Sequence, residues 1–284
     1  MRLDRFLQYG RFIKIEHTLF SFPLLLSGAL LAREPVLTVR TLVLILVAGA
    51  GARAAALSLN RILDRAIDAR NPRTASRELP RGSMSLFEGW FVTLIGTIVY
   101  ALAAFWISPR CLALAPLPLA VFVVYPLLKR VTPWAHLGVG AGLSLAPLGA
   151  WYAVSLSFAN VGPALVLSLF VFFWVAGFDV IYATLDEEFD RKSGIHSLPA
   201  WLGKKKALGV SLAFHLAAFL CLGVLYWREL SGLSAFLLLL VVGGLLLLEH
   251  RKAEDVELAF FKINAVLGFV VLAFVYAGVS SVSP

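Results

Sequence analysis

Two short stretches of this sequence space carboxylates one helical turn apart. Asn60, Asp64 and Asp68 form an N-x3-D-x3-D pattern; Asp179, Tyr182, Asp186 and Asp190 form D-x2-Y-x3-D-x3-D. At about 100° per residue, positions four apart stack on a single helix face. Arg53, seven residues before Asn60, falls on nearly the same face, and the spacing predicts that Asp179, Tyr182, Asp186 and Asp190 share a face as well. Like charges at this interval repel, so such rows call for a cation. Mg2+ suits them, because it takes one or two carboxylates, keeps several waters and draws other ligands from phosphate.

A basic loop follows each row. Arg70, Arg73, Arg77 and Arg81 come after the first; Arg191, Lys192, Lys204, Lys205 and Lys206 come after the second. Arg forks and Lys point charges are direct ligands of phosphate oxygens. Acids for a metal beside bases for phosphate, placed twice, read as a diphosphate site. One D-x3-D at a helix end fits a solvated face equally well. The repeat, with its basic loops, favours the site.

Other polar residues lie within or beside apolar runs. Arg53 precedes Ala54, Ala55 and Ala56, and an intramembrane Arg costs about 2.5 kcal/mol or more. It reads as a clamp for an acidic group on a second substrate, as a snorkelling side chain, or as a structural partner of Asp179. Tyr125 and Lys129 sit one turn apart at the end of a run. Lys129 either reaches phosphate or the acceptor, or simply marks one membrane face. Asp179 is open to three roles: metal ligand, general base or partner of Arg53. His17 lines a pocket or is merely interfacial, and nothing assigns a role to His136, His196, His215 or His250.

The elements that must position these residues are apolar helices. The chain of 284 residues is 60% hydrophobic and 15% charged, against about 25% charged in a soluble domain. Runs near 18–32, 41–62, 86–108, 111–128, 136–154, 163–181, 207–226, 233–249 and 260–281 approach the length of about 20 residues that a span requires. The first is short, and no cleavable leader pattern is read ahead of it. With the N-terminus in the cytoplasm, twenty of the 25 Lys and Arg fall on that side. Arg33, Arg40, Arg110 and Arg228 fall opposite, and Arg53 lies within a span. This asymmetry follows the positive-inside rule. The net charge of +8 is therefore explained by topology, without a nucleic-acid partner. Residues 63–85 and 182–206 are the longest polar connections, both on the cytoplasmic side. Cys111 and Cys221 have no zinc or disulfide spacing.

The two motifs, with Asn71, Arg73 and Arg77 after the first and Gly194, Ser197 and Pro199 after the second, resemble those of the UbiA superfamily of intramembrane aromatic prenyltransferases. The stretch from Lys14 to Pro23 and the Tyr-Ala-Thr-Leu-Asp run from Tyr182 are similar to the 4-hydroxybenzoate polyprenyltransferase branch. The resemblance covers the whole chain, 1–284, as one transmembrane domain with acidic motifs at 60–68 and 179–190. It implies an all-α bundle of about nine spans, N-in and C-out, around a central cavity capped by cytoplasmic loops, in a cell or inner membrane. It also implies Mg2+ with diphosphate at Asp64, Asp68, Asp186 and Asp190, Asn60 assisting. Arg53 would hold the acceptor carboxylate, and Arg73, Arg77 and Lys129 would contact diphosphate. Glu187 and Glu188 beside Asp186, where many relatives have Asp, leave open which acids bind metal.

The implied activity is transfer of a prenyl group from its diphosphate to the ring of an aromatic acid such as 4-hydroxybenzoate, as in quinone biosynthesis. A dihydroxynaphthoate is an alternative acceptor. Asp179 or an acid of the second motif would increase ring nucleophilicity or take the proton. An ion-coupled transporter is the rival from another class; it predicts acids near the midplane and broken helices there.

Overall fold

The structure, a computed structural model, describes residues 2–14, 18–255 and 262–282, whose regular elements are all helices, with no strand among them. The helices are α1 (Arg2–Phe12), α2 (Thr18–Leu31), α3 (Val39–Asp68), α4 (Leu86–Ile107), α5 (Pro109–Leu114), α6 (Pro116–Leu128) and α7 (Ala135–Ser155). They continue with α8 (Gly162–Ala183), α9 (Glu187–Ser193), α10 (Leu198–Leu202), α11 (Lys204–Glu229), α12 (Leu233–Arg251) and α13 (Asn264–Val282). A 3-10 turn, Thr184–Asp186, joins α8 to α9. His17 lies outside the described residues.

Among the described residues, eight helices are long and apolar enough to cross a membrane, α5 and α6 counting together as one. The remaining run, the first in the sequence, is α2, of 14 residues, about 21 Å at 1.5 Å per residue against a hydrocarbon thickness of about 30 Å. Each of the nine runs thus finds its helix. The break between the third and fourth falls at Ser108, whose hydroxyl accepts from the Arg110 N–H at 3.2 Å ahead of Pro109.

Outward faces are apolar at helical spacing. Leu94, Ile98 and Leu102 on α4, and Leu212, Leu216, Leu220 and Val224 on α11, are exposed. Side chains four apart form one stripe, and a stripe of this composition faces lipid. The chain is a multi-pass membrane protein.

Helix α8 is the core element. It packs against α7 and α11, and Leu167, Phe170, Val171, Trp174 and Val175 are fully buried. Helix α3 is set chiefly by α4 through two glycines in close approach. A Cβ on Gly51 would lie 2.8 Å from the Gly96 carbonyl oxygen, and one on Gly96 would lie 2.8 Å from the Ala55 nitrogen. Small residues let helix backbones meet this closely.

The first polar connection, 69–85, closes with a capping box at the start of α4. Ser85 accepts from the Glu88 N–H at 3.2 Å, and its own N–H donates to Glu88 Oε2 at 2.8 Å. Helix α1 is fixed to the same corner: Arg5 and Tyr9 reach Glu88 Oε1 at 2.9 and 3.1 Å, and Gln8 donates to the Ser83 carbonyl at 2.8 Å.

Candidate active site

Helix α3 runs without interruption to Asp68, so its polar row emerges on one face as the spacing predicts. Asn60 Nδ2 donates to Asp64 Oδ2 at 3.2 Å, one turn away. Lys129, at the end of α6, donates to the same oxygen at 2.6 Å. Asp64 is only 3% exposed, and its other oxygen, Oδ1, is buried without a hydrogen-bond partner. Arg77 Nη1 reaches both oxygens of Asp68, at 2.8 and 3.0 Å. Each rim acid of the first row therefore has a cation at hand.

The loop after this row crosses to the second motif. Asn71 Nδ2 donates to Asp186 Oδ1 at 2.8 Å, while its own Oδ1 accepts from the Arg73 N–H at 3.0 Å. Arg73 Nε donates to the same Asp186 oxygen at 2.9 Å, and its Nη2 to the other. Nη1 donates to the Tyr182 hydroxyl at 2.6 Å, with the guanidinium carbon 4.8 Å from the ring centre. Burial opposes the charge on Arg73, but Asp186 and Tyr182 outweigh it and raise the pKa above its ordinary value. The two rows, more than a hundred residues apart, meet at one corner of the bundle.

The second row is not the straight helical stripe that its spacing predicts. Helix α8 ends at Ala183, and the 3-10 turn places Asp186 at φ −108°, ψ 4°, before α9 begins. With three residues per turn there instead of 3.6, the helical register breaks between Tyr182 and Asp186, and Asp190 belongs to the separate short helix α9. Asp190 is buried and accepts from Ser197 Oγ at 2.8 Å. Gly194, left-handed at φ 69°, ends α9 and turns the chain back toward this contact. Lys192 is not gathered with the others: its side chain is 74% exposed and pairs with Glu188 one turn earlier, at 2.6 Å.

Below this corner lies a cavity of about 570 Å³. Arg53, Asn60, Arg77, Tyr125, Asp179 and Tyr182 line it, and apolar residues such as Leu25, Ile45, Leu117, Phe122, Val139 and Phe158 form the remainder. Arg53 Nη1 donates to Ser21 at 3.0 Å. Asp179 has His136 as its partner, Nδ1 to Oδ2 at 2.7 Å. Both side chains reach the cavity from within the spans, and Arg53 stands two turns deeper than Asn60.

Sequence reasoning missed two buried polar pairs. His136 is 5% exposed and joins Asp179 to the second polar connection, accepting from the Leu198 N–H at 3.3 Å. Arg61, 7% exposed and also lining the cavity, pairs with Glu78 of the first connection; its guanidinium carbon stands 5.4 Å from the ring centre of Phe12. A histidine or arginine amid apolar residues was the available signal. Partners 43 and 17 residues away were not.

Among the described residues, no three His, Cys, Asp or Glu side chains form an all-protein metal cage. The donors that converge are oxygens, and one carboxylate oxygen of Asp64 is buried and unpartnered. That set fits Mg2+, which binds through few carboxylates and completes its shell with water and phosphate. It does not fit a metal that needs nitrogen or sulfur ligands.

A UbiA prenyltransferase family profile matches residues 21–266. The 4-hydroxybenzoate solanesyltransferase of Synechocystis sp. is 31% identical over 227 residues, covering 76% of this chain and 75% of that protein. The 4-hydroxybenzoate octaprenyltransferase of Sodalis glossinidius is 30% identical over 264 residues, 89% of this chain and 88% of that one. Among solved structures, an apo UbiA homolog from Aeropyrum pernix K1 is 35% identical, with a TM-score of 0.86 over 92% of this chain and 98% of that one. A UbiA homolog from Archaeoglobus fulgidus, bound to GPP and Mg2+, shares the fold at 18% identity, with a TM-score of 0.68 over 96% of this chain and 99% of that one.

Proposed function

This chain belongs to the UbiA prenyltransferase family, and on that premise we propose that it moves an isoprenoid chain from a prenyl diphosphate to the ring of an aromatic acid such as 4-hydroxybenzoate. The observation that carries this reading is the meeting of Arg73 and Asn71 with Asp186 and Tyr182 at the mouth of a largely apolar cavity. Charge for a diphosphate stands at one end and greasy walls for a tail at the other.

Asp64, Asp68 and Asp186, with Asn60, would hold Mg2+, and Asp190 supports the same corner through Ser197. Bound Mg2+ supplies Lewis-acid stabilisation of the departing diphosphate. Arg73, Arg77 and Lys129 are the bases for phosphate oxygens. Each lies beside an acid, so metal and phosphate can enter together and be balanced, the metal by the acids and the phosphate by the bases. Fixed charges of this kind stabilise the leaving group as the allylic C–O bond breaks, with no reorganisation at that moment. Apolar walls exclude water from the allylic cation. Tyr125 and Tyr182 are part of the cavity lining.

Arg53 is the clamp for the acceptor carboxylate, which orients the ring for attack by the carbon ortho to its hydroxyl. Asp179 or an acid of the second motif then takes the proton. We place the site at the cytoplasmic face of a cell or inner membrane, because twenty of the 25 Lys and Arg share that side.

The test is a panel of aromatic acids incubated with membranes containing the protein, Mg2+ and labelled geranyl diphosphate. Metal-dependent product and diphosphate release are expected with 4-hydroxybenzoate. Failure with every acid in the panel would defeat the reading. Preference for a dihydroxynaphthoate would move the acceptor and leave the reaction class intact.

A further inference from the structure

We propose that Asp179 is the acid that takes the proton from the acceptor ring, and that His136 is the positioning residue that aims it. This rests on the prenyl-transfer reading above and deepens it. Of the five acids in the two motifs, Asp64, Asp68 and Asp186 are each held by a cation, Lys129, Arg77 and Arg73. Asp190 is held by Ser197. Asp179 alone of the five lines the cavity, and its side chain remains 24% accessible.

Its partner differs in kind. The Leu198 N–H, at the start of α10, donates to His136 Nε2 at 3.3 Å. That nitrogen is therefore the acceptor, and the proton of the neutral ring sits on Nδ1, which donates to Asp179 Oδ2 at 2.7 Å. A neutral imidazole orients a carboxylate without itself adding a full positive charge. A nearby cation would favour the ionised form and weaken the base. Oδ1 is left for the substrate. His136 is itself fixed, 5% exposed, so the geometry is set before the acceptor arrives.

The allylic C–O bond breaks and its electron pair leaves with diphosphate. The ring carbon ortho to the hydroxyl forms the new C–C bond. The C–H pair at that carbon returns to the ring, and its proton passes to Asp179 Oδ1 and then to water.

The experiment measures steady-state prenylation of 4-hydroxybenzoate by geranyl diphosphate in Asp179→Asn, His136→Leu, His136→Asn and the double variant Asp179→Asn/His136→Leu. Mg2+-dependent binding of inorganic diphosphate serves as the measure of folding. Asp179→Asn is expected to lower kcat about a hundredfold, the scale of general-base catalysis. His136→Leu is expected to lower it roughly tenfold, with KM for geranyl diphosphate unchanged. His136→Asn, which keeps a donor near the Nδ1 position, recovers most of that loss. The double variant falls no further than Asp179→Asn, because residues acting as a unit are not additive. A tenfold drop on adding His136→Leu to Asp179→Asn would assign His136 another role. Near-normal kcat in Asp179→Asn would overturn the whole proposal while leaving prenyl transfer standing. A wild-type protein inactive with every acceptor would overturn both. Should His136→Leu fail to bind diphosphate, His136→Asn decides: a kcat at the level of Asp179→Asn counts against the proposal.

Discussion

Arg73 and Asp186 are 113 residues apart in the chain and are joined by a fork of hydrogen bonds, Nε to Oδ1 at 2.9 Å and Nη2 to Oδ2. The first polar connection thereby reaches over the end of α3 and closes on the second motif. Arg73 touches Tyr182 as well, so one side chain ties the first connection to two residues of the second motif.

Arg73→Ala is expected to reduce kcat/KM for the prenyl diphosphate about 10- to 100-fold, the range for losing a charge-assisted hydrogen bond worth about 1.5–3 kcal/mol. Arg73→Lys should recover little, because a point charge cannot reproduce the planar fork. Steady-state kinetics with geranyl diphosphate decide this, and a fully active Lys variant would count against the fork.

Asp64→Asn is expected to abolish transfer and the response to Mg2+ while the protein still folds. The amide keeps the shape of the side chain and removes the negative oxygen left unpartnered at Oδ1. Titrating Mg2+ against diphosphate release reads the effect. Activity near that of the unmodified protein would remove Asp64 from the metal set.

Lys129→Met leaves Asp64 buried without its cation. Removing one partner of a buried pair costs about 3–5 kcal/mol. The lower figure applies here, because Lys129 keeps 27% of its side chain exposed. A clearly lowered Tm in detergent is expected, and the double variant Asp64→Asn/Lys129→Met should regain part of it.

Arg53→Ala is expected to raise KM for 4-hydroxybenzoate at least tenfold, about 1.4 kcal/mol, with KM for the diphosphate unchanged. A phenol lacking the carboxylate should be used equally poorly by both proteins. A variant that loses the diphosphate instead would place Arg53 in the other half of the site.

Gly96→Leu forces α3 and α4 apart, because even a Cβ there would sit 2.8 Å from the Ala55 nitrogen. Overpacking of this kind costs about 1–3 kcal/mol. The thermal transition should fall, and transfer with it, since α3 carries Asn60, Asp64 and Asp68.

The helices and the first polar row were legible because both rest on local periodicity. An apolar run of the right length has no other stable form in lipid, and a row at four-residue spacing stays a row as long as its helix is unbroken, as α3 is to Asp68. The shortness of α2 was visible for the same reason. The second row failed where locality failed. Nothing in Thr184, Leu185 and Asp186 announces a 3-10 turn, after which Asp186 meets Arg73 and Asp190 meets Ser197. Lys192 carries the right charge at the right distance along the chain, yet it lies on the outer side of α9 beside Glu188.

What the sequence determined by itself was therefore the class of molecule and the chemistry of its site: spans, acids for a metal, bases for phosphate. The tertiary structure alone decided the pairings: Arg73 with Asp186, Arg61 with Glu78, His136 with Asp179. The physical reason is that composition and period are properties of a segment, whereas a buried polar group takes whatever partner packing brings within about 3 Å, and packing joins segments that share no pattern.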